Sequence, residues 1–223
     1  MKKTPLLLLI LLTCFCCSKD KFVILPEIGH SRVSELTEVS AAYLFYNETL
    51  PDSIELNRKN LISTTNWLIN VDKRLTLKQA MPNIKFLQEK KENSSHKKEG
   101  VKNYFTCNNT SIKNLGFIDF TNINYHFEND TVYRNPTSKY IIFNTLDNIK
   151  MESPQDSVSP INTTIANLLK DISLLTKKEN KPTKIILKFS QDLSFQDYIT
   201  IKSTLENLNP KNPEIVTDEF IFN

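Results

Sequence analysis

The chain has 223 residues with 28 Lys+Arg against 25 Asp+Glu, a formal net charge of +3. Two of those lysines, Lys2 and Lys3, fall in the first 16 residues, so the remainder is near neutral and nothing argues for a nucleic-acid partner. Three glycines (Gly29, Gly100, Gly116) are too few and too scattered for any phosphate-cradling loop or Gly-x-Ser-x-Gly nucleophile elbow. A hydrophobic fraction of 39% with 24% charged residues suits a folded body and lies well outside the disordered class.

The order at the N-terminus is Lys2-Lys3, an apolar run from Leu6 to Leu12, then Cys14, Cys16 and Cys17 before Ser18-Lys19-Asp20. A basic start, a short apolar stretch and a cysteine-bearing processing site form the layout of a bacterial lipoprotein signal. A membrane-spanning helix needs about 20 apolar residues, and Lys19, Asp20 and Lys21 end this run well short of that. Residues 1–16 are expected to be removed and Cys17 to carry the lipid, because Ser18-Lys19-Asp20 resembles the start of surface-exported lipoproteins. Cys14, preceded by Leu11-Leu12-Thr13, is the competing position. With Cys107 as the other thiol after processing, no disulfide framework is expected.

Residues 17–40 read as a tether, and 41–135 as an N-terminal α+β region. Ala41 to Tyr46 suits a strand. Leu61, Ile62, Leu68 and Ile69 recur at seven-residue spacing, which predicts a helix over 57–71. Thr76 can cap a further helix in which Leu77, Ala80, Met81, Ile84 and Leu87 share one face, with Pro82 expected to start or kink it. The charged stretch 88–103 reads as a linker or fraying helix end. Phe117–Phe120 and Tyr125–Tyr133 alternate as half-buried strands do. No internal repeat is visible.

From 136 onward the pattern is better organised. Strands are expected at Tyr140–Phe143, Ile149–Met151, Lys184–Phe189 and Ile215–Phe222. Helical faces are expected at Ile165, Leu168, Leu169, Ile172 and Leu175, and again at Phe195, Tyr198, Ile199, Leu205 and Leu208. Ser194 and Asp197 have capping-box spacing. The fold class is therefore α+β: a small mixed sheet with helices on one face, ending in a β-β-α-β-α-β unit.

That element order, with Ile185-Ile186-Leu187-Lys188-Phe189, Ser194-Phe195-Gln196-Asp197-Tyr198 and the helix after them, resembles the periplasmic domain of the ExbD/TolR biopolymer-transport family. The resemblance covers residues 140–223. It implies a small α+β unit that tends to dimerise beneath a proton-driven inner-membrane motor. Family members also carry a transmembrane helix with a proton-handling aspartate. Here the apolar run contains no acid, and Asp20 lies beyond its end.

Candidate chemistry is sparse. His30, His96 and His126 have no second histidine at i+3 or i+4, so no metal and no cofactor is expected. His126 with Glu128, Cys107 with His126, and Asp192 with Asp197 are the sharpest pairs for ligation, nucleophilic and acid–base work. Each has a plainer reading, respectively a surface pair, a buried small thiol and a helix cap. Tyr43, Phe45, Tyr46 and Trp67 form either an exposed aromatic platform or core. The sequence therefore predicts a non-catalytic cell-envelope lipoprotein, held to the membrane (the outer one in preference to the inner) by Cys17. It would bind or scaffold another envelope protein, with a homodimer through the C-terminal unit as a further expectation. An accessory component of energy-coupled transport and a hydrolase without a recognisable motif are the alternatives.

Overall fold

The computed structural model describes residues 21–96, 98–127, 138–153, 159–176, 183–208 and 213–223. The expected signal segment, Cys14 and Cys17 lie outside the described residues, as do Glu128 and the rest of the strand expected to run to Tyr133. The fold is α+β, with two mixed sheets of six strands each and three helices among the described residues.

The first sheet holds β1 (Glu27–Ile28), β2 (Val39–Tyr46), β3 (Ile54–Asn57), β4 (Asn66–Val71), β5 (Asn103–Asn109) and β6 (Asn114–Asp119), with α1 (Leu77–Glu92) between β4 and β5. The second holds β7 (Asn124–Phe127), β8 (Lys139–Thr145), β9 (Asn148–Glu152), β10 (Ile161–Thr163), β11 (Lys184–Ser190) and β12 (Glu214–Phe222). Helices α2 (Leu168–Thr176) and α3 (Phe195–Leu205) flank β11 in sequence.

The two sheets share one plan. In the first the order is β3-β2-β4-β5, and in the second β9-β8-β11-β12. In each, an antiparallel hairpin is followed by two parallel additions. Each third strand runs into a capping box and a helix. Thr76 accepts from the backbone of Gln79, whose side chain returns to Thr76, and Ser194 and Asp197 do the same. The caps meet: Thr76 bridges Ser194. Leu77 N donates to Leu193 O at 2.9 Å and Phe195 N to Leu75 O at 2.7 Å. Lys78 N donates to Gln191 O at 2.9 Å and Gln196 N to Lys73 O at 3.3 Å. Each bond has its mate when residue numbers are exchanged between halves, as at an isologous dimer contact. The chain is an internal pseudo-dimer, and the repeat invisible in the sequence lies in Leu75-Thr76-Leu77 and Leu193-Ser194-Phe195.

Several expectations change. No helix covers 57–71. That stretch is β3's end, a turn-rich loop and β4, whose Trp67, Ile69, Asn70 and Val71 are buried in a parallel setting. Burial from both sides produced the apolar clustering that mimics a helical face. Helix α1 continues through Pro82, which lies on its exposed face with Lys78, the residue whose carbonyl loses its helical donor there. The stretch 88–103 is helix as far as Glu92 and then a loop. β7 pairs with β12, so the second unit begins near Asn124 instead of 136.

The expected tether over 17–40 is also largely docked. Ile24 N donates to Asp72 Oδ2 at 3.2 Å, and Lys73 N to Ile24 O at 2.8 Å. Pro26 O and Ile28 O accept from Asn108 N and Thr110 N, Ser203 Oγ donates to His30 O, and Phe117 N to Val33 O. Glu27 and Gln196 exchange two further bonds. This strap crosses both halves. Gly116 permits it, because a Cβ there would stand 2.6 Å from Ser31 Oγ.

Candidate functional site

A cleft of about 720 Å³ opens where the first half meets the second. Its walls are the later turns of α1, the loop before β5, the β6–β7 connection and Asp218 of β12. Gln88 braces one wall by donating to Phe120 O at 3.2 Å and Ile123 O at 3.0 Å. Lys91 closes the inner end. It is 7% exposed, donates to Lys102 O at 2.8 Å and Asn103 Oδ1 at 2.9 Å, and lies 5.2 Å from the Trp67 ring. Burial pushes its ammonium down to about 8.

On the opposite wall His126 Nε2 sits 2.8 Å from Asp218 Oδ1, which also accepts from Asn124 Nδ2 at 3.2 Å. The imidazole stacks on Phe220 with centroids 4.9 Å apart. Glu128 lies outside the described residues, and Asp218 is thus a carboxylate the structure gives His126. The two come together only because β7 adds to β12 in parallel, a non-local pairing that leaves no mark on the spacing. Rim charges are mixed, with Lys85 and Lys98 against Glu89, Glu92 and Glu99. The cleft can hydrogen-bond a polar group and orient it, and it presents no nucleophile beside His126 among the described residues.

A smaller cleft of about 320 Å³ lies between Arg32, Asp119, Lys202, Glu206 and the start of β12. Burial pushes the Glu206 carboxyl up against the pull of Arg32, and its Oε2 is buried without a hydrogen-bond partner. Beneath it, Glu219 is 0% exposed, ion-paired to Lys202, and accepts from Tyr198 OH at 2.8 Å. Tyr125 OH lies 3.2 Å from Tyr198 OH. Burial, and then the Glu219 charge, push both phenols well above their ordinary value.

The remaining candidates separate. Cys107 is fully buried, and burial pushes its thiol upward, away from the reactive thiolate. No hydrogen bond joins it to His126. Asp197 is a cap, accepting from Ser194 Oγ at 2.7 Å, and the Asp192 backbone closes a turn on Ser190 Oγ. Trp67 is core, Tyr43 and Phe45 stack on each other, and Tyr46 lies under the Arg74 guanidinium, so the four aromatics form no common platform. Comparison with known proteins returns no matching family model, no matching curated protein and no matching solved structure.

Proposed function

We propose that this protein is a cell-envelope lipoprotein, anchored through a lipid on Cys17, whose folded body is a non-catalytic binding or scaffolding module. The observation that carries the reading is the docked strap. From Ile24 onward the chain is bound to both halves, and Lys21 pairs with Glu55 of β3. Only Ser18, Lys19 and Asp20 lie between Lys21 and Cys17, a reach of about 15 Å at full extension. A lipid there would hold the body close against its membrane with the β3 side of the first sheet nearest the anchor. That is a geometry suited to a platform for another envelope protein. No helix among the described residues is long and apolar enough to cross a membrane.

The test is the intact mass of the N-terminal peptide from membrane-extracted protein, wild type beside Cys17→Ser. A diacyl or triacyl group on Cys17, absent from the variant, is expected. An unmodified chain beginning at Met1 would overturn the reading. That outcome would favour an accessory role in energy-coupled transport, to which the pseudo-dimer lends some support. It supplies within one chain the pairing that the ExbD/TolR resemblance implies between two. The pseudo-twofold surface of the C-terminal unit is accordingly occupied by the first half.

A further inference from the structure

We propose that β3 pairs across its open edge with β3 of a second copy of this chain, antiparallel and centred on Glu55, joining the two first sheets into one. The inference rests on the binding-module reading and names one partner and the strand that meets it. It begins from a contrast between equivalent edges. β9 is the counterpart of β3, and its outer edge is covered by β10, with Ile161 opposite Met151 and Thr163 opposite Ile149. No strand lies outside β3 among the described residues. Asn47 N bonds Ser53 O, so Ser53, Glu55 and Asn57 turn their backbone groups toward β2, and Ile54 and Leu56 turn theirs outward. An unpaired edge of this kind is a template for strand addition.

The edge is complementary to itself. Asp52, Ile54, Leu56 and Arg58 follow at every second position, with an acid at one end, a cation at the other and two apolar residues between. Reversed on itself about Glu55, this row sets Ile54 opposite Leu56 and Asp52 opposite Arg58 of the other copy, each pair occurring twice. Asp52 is exposed, Arg58 lies 4.9 Å over the Phe86 ring, and neither is ion-paired among the described residues. Lys59 falls opposite Pro51. The backbone selects the same register. Ile54 and Leu56 of the two copies supply four hydrogen bonds from groups that are free among the described residues. Centring on Ile54 would instead call on Asp52 O, which already accepts from Gln79 Nε2 at 2.9 Å. Centring on Leu56 would call on Arg58 O, which accepts from Leu61 N at 3.4 Å. On the opposite face Glu55 meets Glu55, and each keeps its own Lys21 and Asn47, so two ion pairs flank the axis. That two-fold axis stands perpendicular to the sheet and brings both Lys21 side chains out on one face. Lipids on both Cys17 residues then reach a single bilayer, a condition that any dimer anchored in this way must meet.

The experiment introduces Glu55→Cys, Asn57→Cys or, at the exposed Leu174 of α2, Leu174→Cys into the full chain, and applies a mild oxidant to membranes of the cells that make it. Residues directly opposite in such a pair have Cα atoms about 4.5 Å apart, within reach of a disulfide. The expected result is a Glu55→Cys dimer linked through the two introduced thiols, at least tenfold more abundant than with Asn57→Cys, which faces Ser53, or with Leu174→Cys. Sedimentation of the extracted chain with Glu55 in place is the second arm. Asp52→Arg or Arg58→Asp alone should weaken the dimer at least tenfold, because each sets like charges opposite one another twice. The two together should restore it, with circular dichroism spectra unchanged throughout. Equal linkage at the three positions, a Glu55→Cys link to a different protein, a monomer at every concentration, or a double variant as weak as the single ones would overturn the proposal. A lipidated Cys17 with no Glu55→Cys link would remove this interface and leave the anchor reading standing. An unlipidated chain with the link would do the reverse.

Discussion

At one pair of equivalent positions the two halves solve the same packing problem by opposite chemistry. In the first, β5 places Phe105 beside Ile69 of β4, and these two, like Ala80 and Ile84 of α1, are fully or almost fully buried apolar groups. In the second, β12 places Glu219 beside Leu187 of β11, under Tyr198 and Lys202 of α3. A phenylalanine, an alanine and an isoleucine on one side are matched by a carboxylate, a phenol and an ammonium on the other. The apolar set gains from burial and from the stack of Phe105 on Phe120, centroids 3.9 Å apart. The charged set must first overcome desolvation, and breaks even only because every member has a partner.

The comparison is broken most violently at Glu219. Glu219→Ala leaves Lys202 without its counter-charge and Tyr198 OH without its main acceptor, and should cost about 3–5 kcal/mol, read as a shift of the urea midpoint. Importing the first half's solution as Glu219→Leu with Lys202→Ile should recover most of that loss, since a packed apolar set of similar volume is commonly neutral or better. A double variant as unstable as the single one would show that the cluster supplies something the apolar arrangement lacks.

A second asymmetry follows β4 and β11. Where β11 ends on Ser190, the first half has Asp72, 0% exposed. Burial alone would raise its carboxyl. The Arg74 guanidinium at 2.9 Å to each oxygen, with the N–H groups of Arg74 and Ile24, holds it below its ordinary value instead. A carboxylate depressed in the folded state contributes stability above its unfolded pKa and loses it as pH falls through the folded one. Asp72→Asn should therefore cost about 2 kcal/mol near neutral pH, and the gap from wild type should close below about pH 4. Because Asp72 also pins Ile24, tryptic cleavage at Arg32 should quicken in the variant. An unchanged cleavage rate would show that the strap is held by its other bonds.

The second half was the more legible in sequence, and the reason is physical. Its strands are bounded by prolines and separated by helices with clear apolar faces, so β8, β9, α2, β11, α3 and β12 emerge from local periodicity. In the first half β4 and β5 are buried on both sides, which erases alternation, and β1 and β3 are too short to register. The repeat was hidden because its marks are small. Thr76 and Ser194 were each recognisable as caps, but only their contact across the pseudo-axis makes them equivalents. Lys91 and the His126–Asp218 pair were missed altogether: a lysine in a charged run reads as solvated, and a cross-strand partner 92 residues away leaves no spacing to find.

Lys91 exists because α1 runs more than a turn beyond the point where α3 stops, carrying a cation into the wall of the large cleft. Its ammonium binds a proton less tightly when folded, at about 8 against 10.5. Between those values the unfolded chain holds more protons than the folded one, so this residue's contribution to stability rises with pH across that window and is least favourable below it. That difference corresponds to a rise of about 3 kcal/mol, and it would be larger without the two hydrogen bonds to Lys102 O and Asn103 Oδ1, which offset part of the desolvation. Lys91→Met should flatten it. The difference between the two urea-midpoint profiles from pH 7 to 10.5 isolates this group from the other titrations, and parallel profiles would mean the ammonium is solvated in solution.

The smallest effect tests the pseudo-symmetry itself. Thr76→Ala and Ser194→Ala each remove one side-chain acceptor from a helix N-terminus and one half of a capping box, so each should cost about 1 kcal/mol. The two caps touch through their backbones, with Leu77 N on Leu193 O and Phe195 N on Leu75 O, so fraying one helix start should loosen the other. Residues that share contacts in this way deviate from additivity by about 0.5 kcal/mol or more. The double variant should therefore lose measurably less than the sum of the two, since the second cap is already weakened when it is removed. Strict additivity in a double-mutant cycle would mean that the halves fold against each other as independent units, and that their reciprocal bonds are a matter of geometry with little energetic coupling.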